Sequence, residues 1–235
     1  MLKFLFIFAH PDDETVACAG TILQLIEAGH EVTLISVTDG GAGEVSAAAQ
    51  PQLKKYGSVG QLRRAELQAV SEFLHVQKLQ FLEFQDGQIT NQDVWGKLRS
   101  DLIDIIDAEK PDFVITFDHS GWYFHLDHVG VSIATTLAFQ QSAHRPHGLL
   151  LSLMQVEGTK WNYVYAQELP VTHRVDASSE RKQKLAALEL HLSQDTTPIE
   201  QKMKQENPHF ELYQLVFATS NAQELLRSTQ IFLAT

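Results

Sequence analysis

Residues 2–9 read LKFLFIFA, an apolar run broken only by Lys3. A run of strand length that is apolar at both alternating positions suits a strand covered on both faces, in the middle of a parallel sheet. It ends abruptly in HPDDE, residues 10–14. Residues 14–28 then place Val16, Ala19, Ile22, Leu23 and Ile26 at helical spacing, and Gly29 supplies a stop. EVTLISVT (31–38) reads as a second strand running into the glycine-rich DGGAG. The spacing predicts a helix over 59–75, a short strand FLEF over 81–84 and a helix over 93–108. A strand PDFVITF (111–117), a helix over 129–140 and a fifth strand GLLLSLM (148–154) follow. Strictly alternating strands and helices predict an α/β fold, a Rossmann-like three-layer sandwich around a mostly parallel central sheet.

The pattern weakens beyond residue 155. WNYVYAQEL (161–169) and VTHRVD (171–176) look like strands, and 179–192 like a helix with Leu185, Leu188 and Leu192 on one side. Residues 195–235 show no readable period. No linker separates them from the rest, so one unit over 1–235 is expected, with a core over 1–155 and a small C-terminal extension over 156–235.

Composition narrows the function. The net charge of −11 disfavours nonspecific binding to nucleic acid or to an anionic membrane. One cysteine, Cys18, excludes an internal disulfide and a thiolate metal cluster. The N-terminal apolar run is too short to span a membrane and makes a poor signal peptide, so a cytoplasmic location is the expectation. GGAG invites a nucleotide-binding reading, but a dinucleotide fingerprint belongs directly after the first strand, where HPDDE stands instead.

Ligands of open α/β sheets bind at the carboxyl ends of the strands. AHPDDE emerges there, with His10, Asp12, Asp13 and Glu14 crowded behind Pro11. The plain reading is an acidic turn that favours a helix N-terminus. A bound cation would also relieve the repulsion. The second cluster, DHSGWYFHLDHVG (118–130), follows another strand and holds His119, His125, Asp127 and His128. Two imidazoles and a carboxylate have the ligand count of a catalytic zinc site, which leaves one position open. A spare carboxylate then suits a general base, and a spare histidine an acid or oxyanion stabiliser. Spacing does not say which aspartate does which. Trp122 and Phe124 serve either as a sugar-stacking platform or as loop anchors.

These stretches, in order, resemble the PIG-L/LmbE-like family of zinc-dependent N-deacetylases. The carrying motifs are AHPDDE, TDGGAG (38–43), RRAEL with Arg63 and Glu66, FQDG with Asp86 and Gly87, HLDH (125–128), and ALELHLSQ (187–194). Leu126 stands where the family's last motif usually has proline. The resemblance implies zinc, one per subunit, or another divalent cation such as Fe2+, on His10, Asp13 and His128. It implies Asp12 as general base, His125 as acid or electrostatic stabiliser, Asp127 as the partner orienting His125, and Tyr123 as a polariser of the acetyl carbonyl. Arg63, Asp86 and His191 are implied as substrate contacts. The implied reaction is removal of the N-acetyl group from an N-acetylglucosamine-containing small molecule or short oligosaccharide. The partner would be a small amino sugar, with no nucleic acid or membrane span and a possible homo-oligomer. An amidase acting on a larger or thiol-conjugate amide, and a noncatalytic sugar-binding protein, are the alternatives.

Overall fold

The computed structural model describes residues 1–154 and 169–235. The predicted strand WNYVYAQEL lies almost wholly outside the described residues. The elements in order are β1 (Lys3–Phe8), α1 (Asp13–Glu27), β2 (Glu31–Thr38), α2 (Gln50–Tyr56), α3 (Val59–Phe73), β3 (Lys78–Phe84) and α4 (Gln92–Glu109). Then come β4 (Phe113–Phe117), the short turn α5 (Gly121–Phe124), α6 (Leu126–Gln141) and β5 (Gly148–Leu153). The C-terminal part adds β6 (His173–Asp176), α7 (Arg181–Glu189), α8 (Thr197–Gln205), β7 (Phe210–Val216), α9 (Ala222–Ser228) and β8 (Leu233–Ala234).

The strands form one sheet in the order β3-β2-β1-β4-β5-β7-β6-β8. β1 pairs in parallel with β2 on one side and β4 on the other, and β3 and β5 extend the parallel part outward. Phe4 to Phe8 are accordingly buried, as the uninterrupted apolar run requires. Right-handed crossovers put α1 and α3, which lead leftward from β1, on one face and α4 and α6 on the other. The order in which strands are added to the sheet reverses between β1 and β4, so the loops after these parallel strands part and leave a crevice at their carboxyl ends.

Boundaries shift where polar residues interrupt the apolar pattern. β3 begins at Lys78, three residues before FLEF, because it is an edge strand with half-buried side chains and no apolar run to mark it. α6 begins at Leu126, so Asp127 and His128 occupy its first turn. β7, within the stretch that lacked a period, runs antiparallel between β5 and β6. Two of its inward positions are Glu211 and Tyr213, and a buried charge is what hides the strand.

Glu211 is satisfied on every side. Its carboxylate accepts from Gly20 N (2.9 Å), Thr21 N (2.7 Å) and Thr21 Oγ1 (2.6 Å) and pairs with Lys184 Nζ at 2.5 Å. The cluster joins α1, α7 and β7, and both charges are buried. Burial alone would raise the Glu211 carboxyl; Lys184 and the Thr21 donors outweigh it and hold it below the usual value. Removing one partner of such a pair costs about 3–5 kcal/mol. Glu211→Ala is therefore expected to lower the unfolding free energy by about that much at pH 7, measured by urea denaturation. Because the folded-state value is depressed, the contribution is complete above the unfolded carboxyl value of about 4.3 and fades as pH falls through the folded one. The gap between wild type and variant should narrow in acid; a gap independent of pH would contradict this account.

Candidate metal centre

β1 delivers Ala9 and His10 to the crevice. The Ala9 carbonyl accepts from the Thr38 amide at 2.9 Å, which ties the end of β1 to the end of β2. His10 N then donates to Asp13 Oδ2 at 2.8 Å, folding the acidic turn back on itself. Asp12 sits at φ 115°, ψ −28°, a backbone conformation that costs a non-glycine residue about 1–3 kcal/mol. Its carbonyl accepts from Thr15 N and Val16 N and so starts α1.

Arg63 holds this turn in place. Its guanidinium donates to Pro11 O (2.5 Å), Asp12 Oδ2 (3.1 Å) and Gly40 O (3.1 Å) and is only 4 % exposed. Gly40 has φ +66°, and a Cβ there would stand 2.3 Å from Arg63 Nη1. The glycines of TDGGAG thus make room for an arginine, not for a phosphate. Its Nη1 and Nη2 groups are engaged by the protein, while Nε is buried with no partner among the described residues.

The loop after β4 brings the second set. Trp122 (φ 64°) and Phe124 (φ 63°) take left-handed backbone conformations. Trp122 is buried and donates its indole N–H to Ser152 O at 3.1 Å, so it anchors the loop and is no sugar platform. A Cβ on Gly121 would stand 2.8 Å from that of His128. Leu126, at the position usually proline, is 65 % exposed and buries none of the donors.

His10, Asp13 and His128 converge. His10 Nδ1 lies 3.1 Å from His128 Nε2, His128 Nε2 lies 3.2 Å from Asp13 Oδ1, and His10 Nδ1 lies 3.6 Å from Asp13 Oδ2. Zinc–ligand bonds of about 2.0–2.1 Å imply tetrahedral edges of about 3.3–3.4 Å, so two imidazole nitrogens and a carboxylate that turns one oxygen toward each are spaced to suit such an ion. The ring nitrogens of His10, His125 and His128 also lie within 4.8 Å of one another. The His125 ring is stacked on His128, however, with centroids 4.6 Å apart and planes at 30°. Lone pairs lie in the ring plane, and stacked rings do not aim them at one point.

The far side of His10 is held by carboxylates. Nε2 lies 2.9 Å from Asp86 Oδ1 and 3.4 Å from Asp127 Oδ2. A hydrogen on Nε2 donated to Asp86 leaves the Nδ1 lone pair facing Asp13 and His128, as metal-ligating histidines require. His10, Asp86 and Asp127 could themselves hold an ion by distance, but these carboxylates have other partners. Asp86 Oδ2 accepts from Ala42 N at 2.9 Å, and Asp127 accepts from Gly87 N (2.6 Å) and Ile89 N (3.2 Å). Asp86 supports His10 and the glycine loop where a sugar contact was expected. Asp127 serves His10 and the 87–89 loop, while His125 Nδ1 is buried with no partner among the described residues.

Electrostatics follow the geometry. Burial disfavours a charged His10, yet Asp127, Asp13 and Asp86 together raise it well above the ordinary histidine value. A proton on His10 thus occupies the position of positive charge that a divalent cation would take. Burial would raise Asp13, but His128 and His10 hold it well below the carboxylate range. Burial lifts Asp12 to about 6, against the pull of Arg63 and with a push from Asp13. Its side chain remains 23 % exposed, enough for water to reach it. Burial, then His128 and His10, lower His125. Burial, then Asp13 and Asp12, raise the Tyr123 hydroxyl; the ring stands 5.5 Å from His128 and the residue is 43 % exposed. His191 is not in the open crevice. It is 1 % exposed, with Nε2 at 3.2 Å from Glu14 Oε1 and from Thr15 Oγ1. Cys18 is buried and its thiol pushed up by burial, so it is inert.

The family model for PIG-L, GlcNAc-PI de-N-acetylase, matches residues 5–139. A 1D-myo-inositol 2-acetamido-2-deoxy-alpha-D-glucopyranoside deacetylase of Saccharomonospora viridis is 29 % identical over 227 residues, covering 82 % of this chain and 85 % of the relative. Among solved structures, the N,N'-diacetylchitobiose deacetylase of Pyrococcus horikoshii shares 22 % identity at a TM-score of 0.67, covering 91 % of this chain and 83 % of its own. A 4-carboxy-2-hydroxymuconate hydratase of Pseudomonas putida shares 18 % at a TM-score of 0.70, covering 93 % and 98 %. These two likenesses show the fold. The chain belongs to the PIG-L family, and its clustered histidines and carboxylates are consistent with a divalent-metal site and support a metal-dependent hydrolase.

The arrangement predicts a graded response at Asp86. Asp86→Ala should weaken divalent-cation binding about 10- to 100-fold, whereas Asp86→Asn, which keeps an acceptor for His10, should cost less. Competition with a chromogenic chelator measures both. Equal affinity of wild type and Asp86→Ala would show that His10 needs no such support.

Proposed function

We propose that this PIG-L family protein is a zinc-dependent N-deacetylase of amino sugars, releasing acetate and a free amine from an N-acetylglucosamine-containing small molecule or short oligosaccharide. The observation that carries the reading is the pairing of a donor set of two imidazoles and one carboxylate with a separate, water-accessible carboxylate, Asp12, beside it. His10, Asp13 and His128 would hold the ion. When bound, it supplies Lewis-acid activation of water and of the amide carbonyl.

The chain's own groups supply the proton steps. Asp12 takes a proton from the water as its oxygen attacks the carbonyl carbon. Arg63 fixes that carboxylate, and the raised value near 6 brings its basicity closer to the operating pH. The Tyr123 hydroxyl, kept protonated by its surroundings, can donate to the developing oxyanion. The proton that Asp12 took from the water can pass, by way of His125, to the leaving nitrogen, which lets the C–N bond break and the amine leave. The inositol-linked N-acetyl sugar named for the bacterial relatives and the chitobiose named for the structural neighbour support an N-acetyl sugar as substrate.

No helix among the described residues is long and apolar enough to cross a membrane. We place the reaction in the cytoplasm, on a small molecule and not on nucleic acid; the charge of −11 supports the latter. A homo-oligomer is compatible with the reading.

An amine-release screen of the zinc-loaded protein tests it, comparing N-acetylglucosamine, its oligomers, its malate conjugate and its inositol conjugate. At least one should release acetate, and Asp12→Asn should lower turnover by about 10²–10⁴-fold while metal content is retained. Full activity of Asp12→Asn would rule Asp12 out as the base.

A further inference from the structure

HLSQ, residues 191–194, lies outside the stretch that the family model matches, yet it hydrogen-bonds to α1, to α3 and to the chain just past the glycine loop. Ser193 donates through N and Oγ to Glu66 at 2.8 and 2.6 Å. The carbonyls of Ser193 and Leu192 accept from Ser46 N (2.8 Å) and Ser46 Oγ (2.6 Å). Gln194 Nε2 reaches Glu44 O at 3.3 Å. These bonds fix the segment against α3 and the end of the glycine loop.

The remaining member, His191, points the other way. Its Nε2 meets Glu14 Oε1, and the other oxygen of the same carboxylate, Oε2, accepts from the Asp12 amide at 3.1 Å. His191 Nδ1 has no partner among the described residues, so the ring's polar contacts all lie on the Glu14–Thr15 side. Glu14 is buried and touches neither His10 nor His128 by any hydrogen bond found.

We propose that His191 is a positioning residue for Asp12: it fixes the Glu14 carboxylate, which binds the Asp12 amide and holds that residue at its left-handed φ. This rests on the reading of Asp12 as the base. A neutral or charged imidazole performs the task equally, since only the Nε2 hydrogen is used. Arg63 restrains the Asp12 side chain and the Pro11 carbonyl; Glu14, backed by His191, restrains the amide between them. Asp12 therefore has its backbone and carboxylate held from two independent directions. Small misplacement of such a group is costly to rate and not to substrate binding.

The test uses zinc-loaded protein, hydrogen exchange at the Asp12 amide, and amine release from N,N'-diacetylchitobiose. In His191→Ala the Asp12 amide should exchange about tenfold faster or more, and kcat should fall about 10- to 100-fold with KM within about twofold. Zinc affinity should stay within about threefold. His191→Gln, whose amide nitrogen can reach Glu14, should regain most of both losses; His191→Asn, too short to reach, should not, and it stands in if the alanine variant fails to fold. Ser193→Ala, which removes one of the segment's bonds to Glu66 and leaves Glu14 alone, should leave the Asp12 amide as in wild type. Unchanged exchange in His191→Ala and His191→Asn, an equal effect from Ser193→Ala, or a zinc affinity loss beyond tenfold would each overturn the proposal. Absence of turnover in the wild type would refute the deacetylase reading, while the exchange measurement would still decide the role of His191.

Discussion

A single buried guanidinium sets the geometry on which everything at the crevice depends. Arg63 comes from the second helical turn of α3, yet its hydrogen bonds end on the loop after β1 and the loop after β2. A guanidinium out of water needs its charge balanced and most of its donors engaged. Two carbonyls and the Asp12 carboxylate engage Nη1 and Nη2 and balance the charge, and in being recruited they are locked in place. The glycine loop is shaped to the same group, because any side chain at Gly40 would collide with it. The turn, the loop and the helix therefore cannot be arranged independently.

The fold was largely legible because its inner strands are apolar on both faces, and β1, β2, β4 and β5 announce themselves. The edges and the C-terminal part were not. β3 alternates weakly at the sheet edge, and β7 turns a glutamate inward, so neither shows the period of a buried strand. At the site, the motifs told which residues meet. They could not tell where each spends its hydrogen bonds. Asp86, Asp127, Arg63 and His191 are all near the donors, but their polar atoms face the protein and not the opening. That partition depends on angles of a few side chains, and spacing in the chain does not encode it.

The same backbone frame accommodates a hydratase and deacetylases among the structures it resembles. Chemistry therefore resides in the side chains at the strand ends and not in the sheet. Here the distinguishing feature is a division of labour along β1's exit. On the proposed reading, His10 and Asp13 face the donor cluster, while Asp12 between them is turned aside toward water. A regular turn would have presented neighbouring carboxylates together.

The turning aside of Asp12 has a consequence for anyone redesigning this chain. Its φ of 115° is territory where glycine is at ease and aspartate is not. Any procedure that ranks substitutions by thermal tolerance would nominate glycine there early. With Asp12 as the proposed base, position 12 is a place where a sturdier molecule and a working one are different molecules, and where a library selected for heat resistance alone would drift away from the proposed activity.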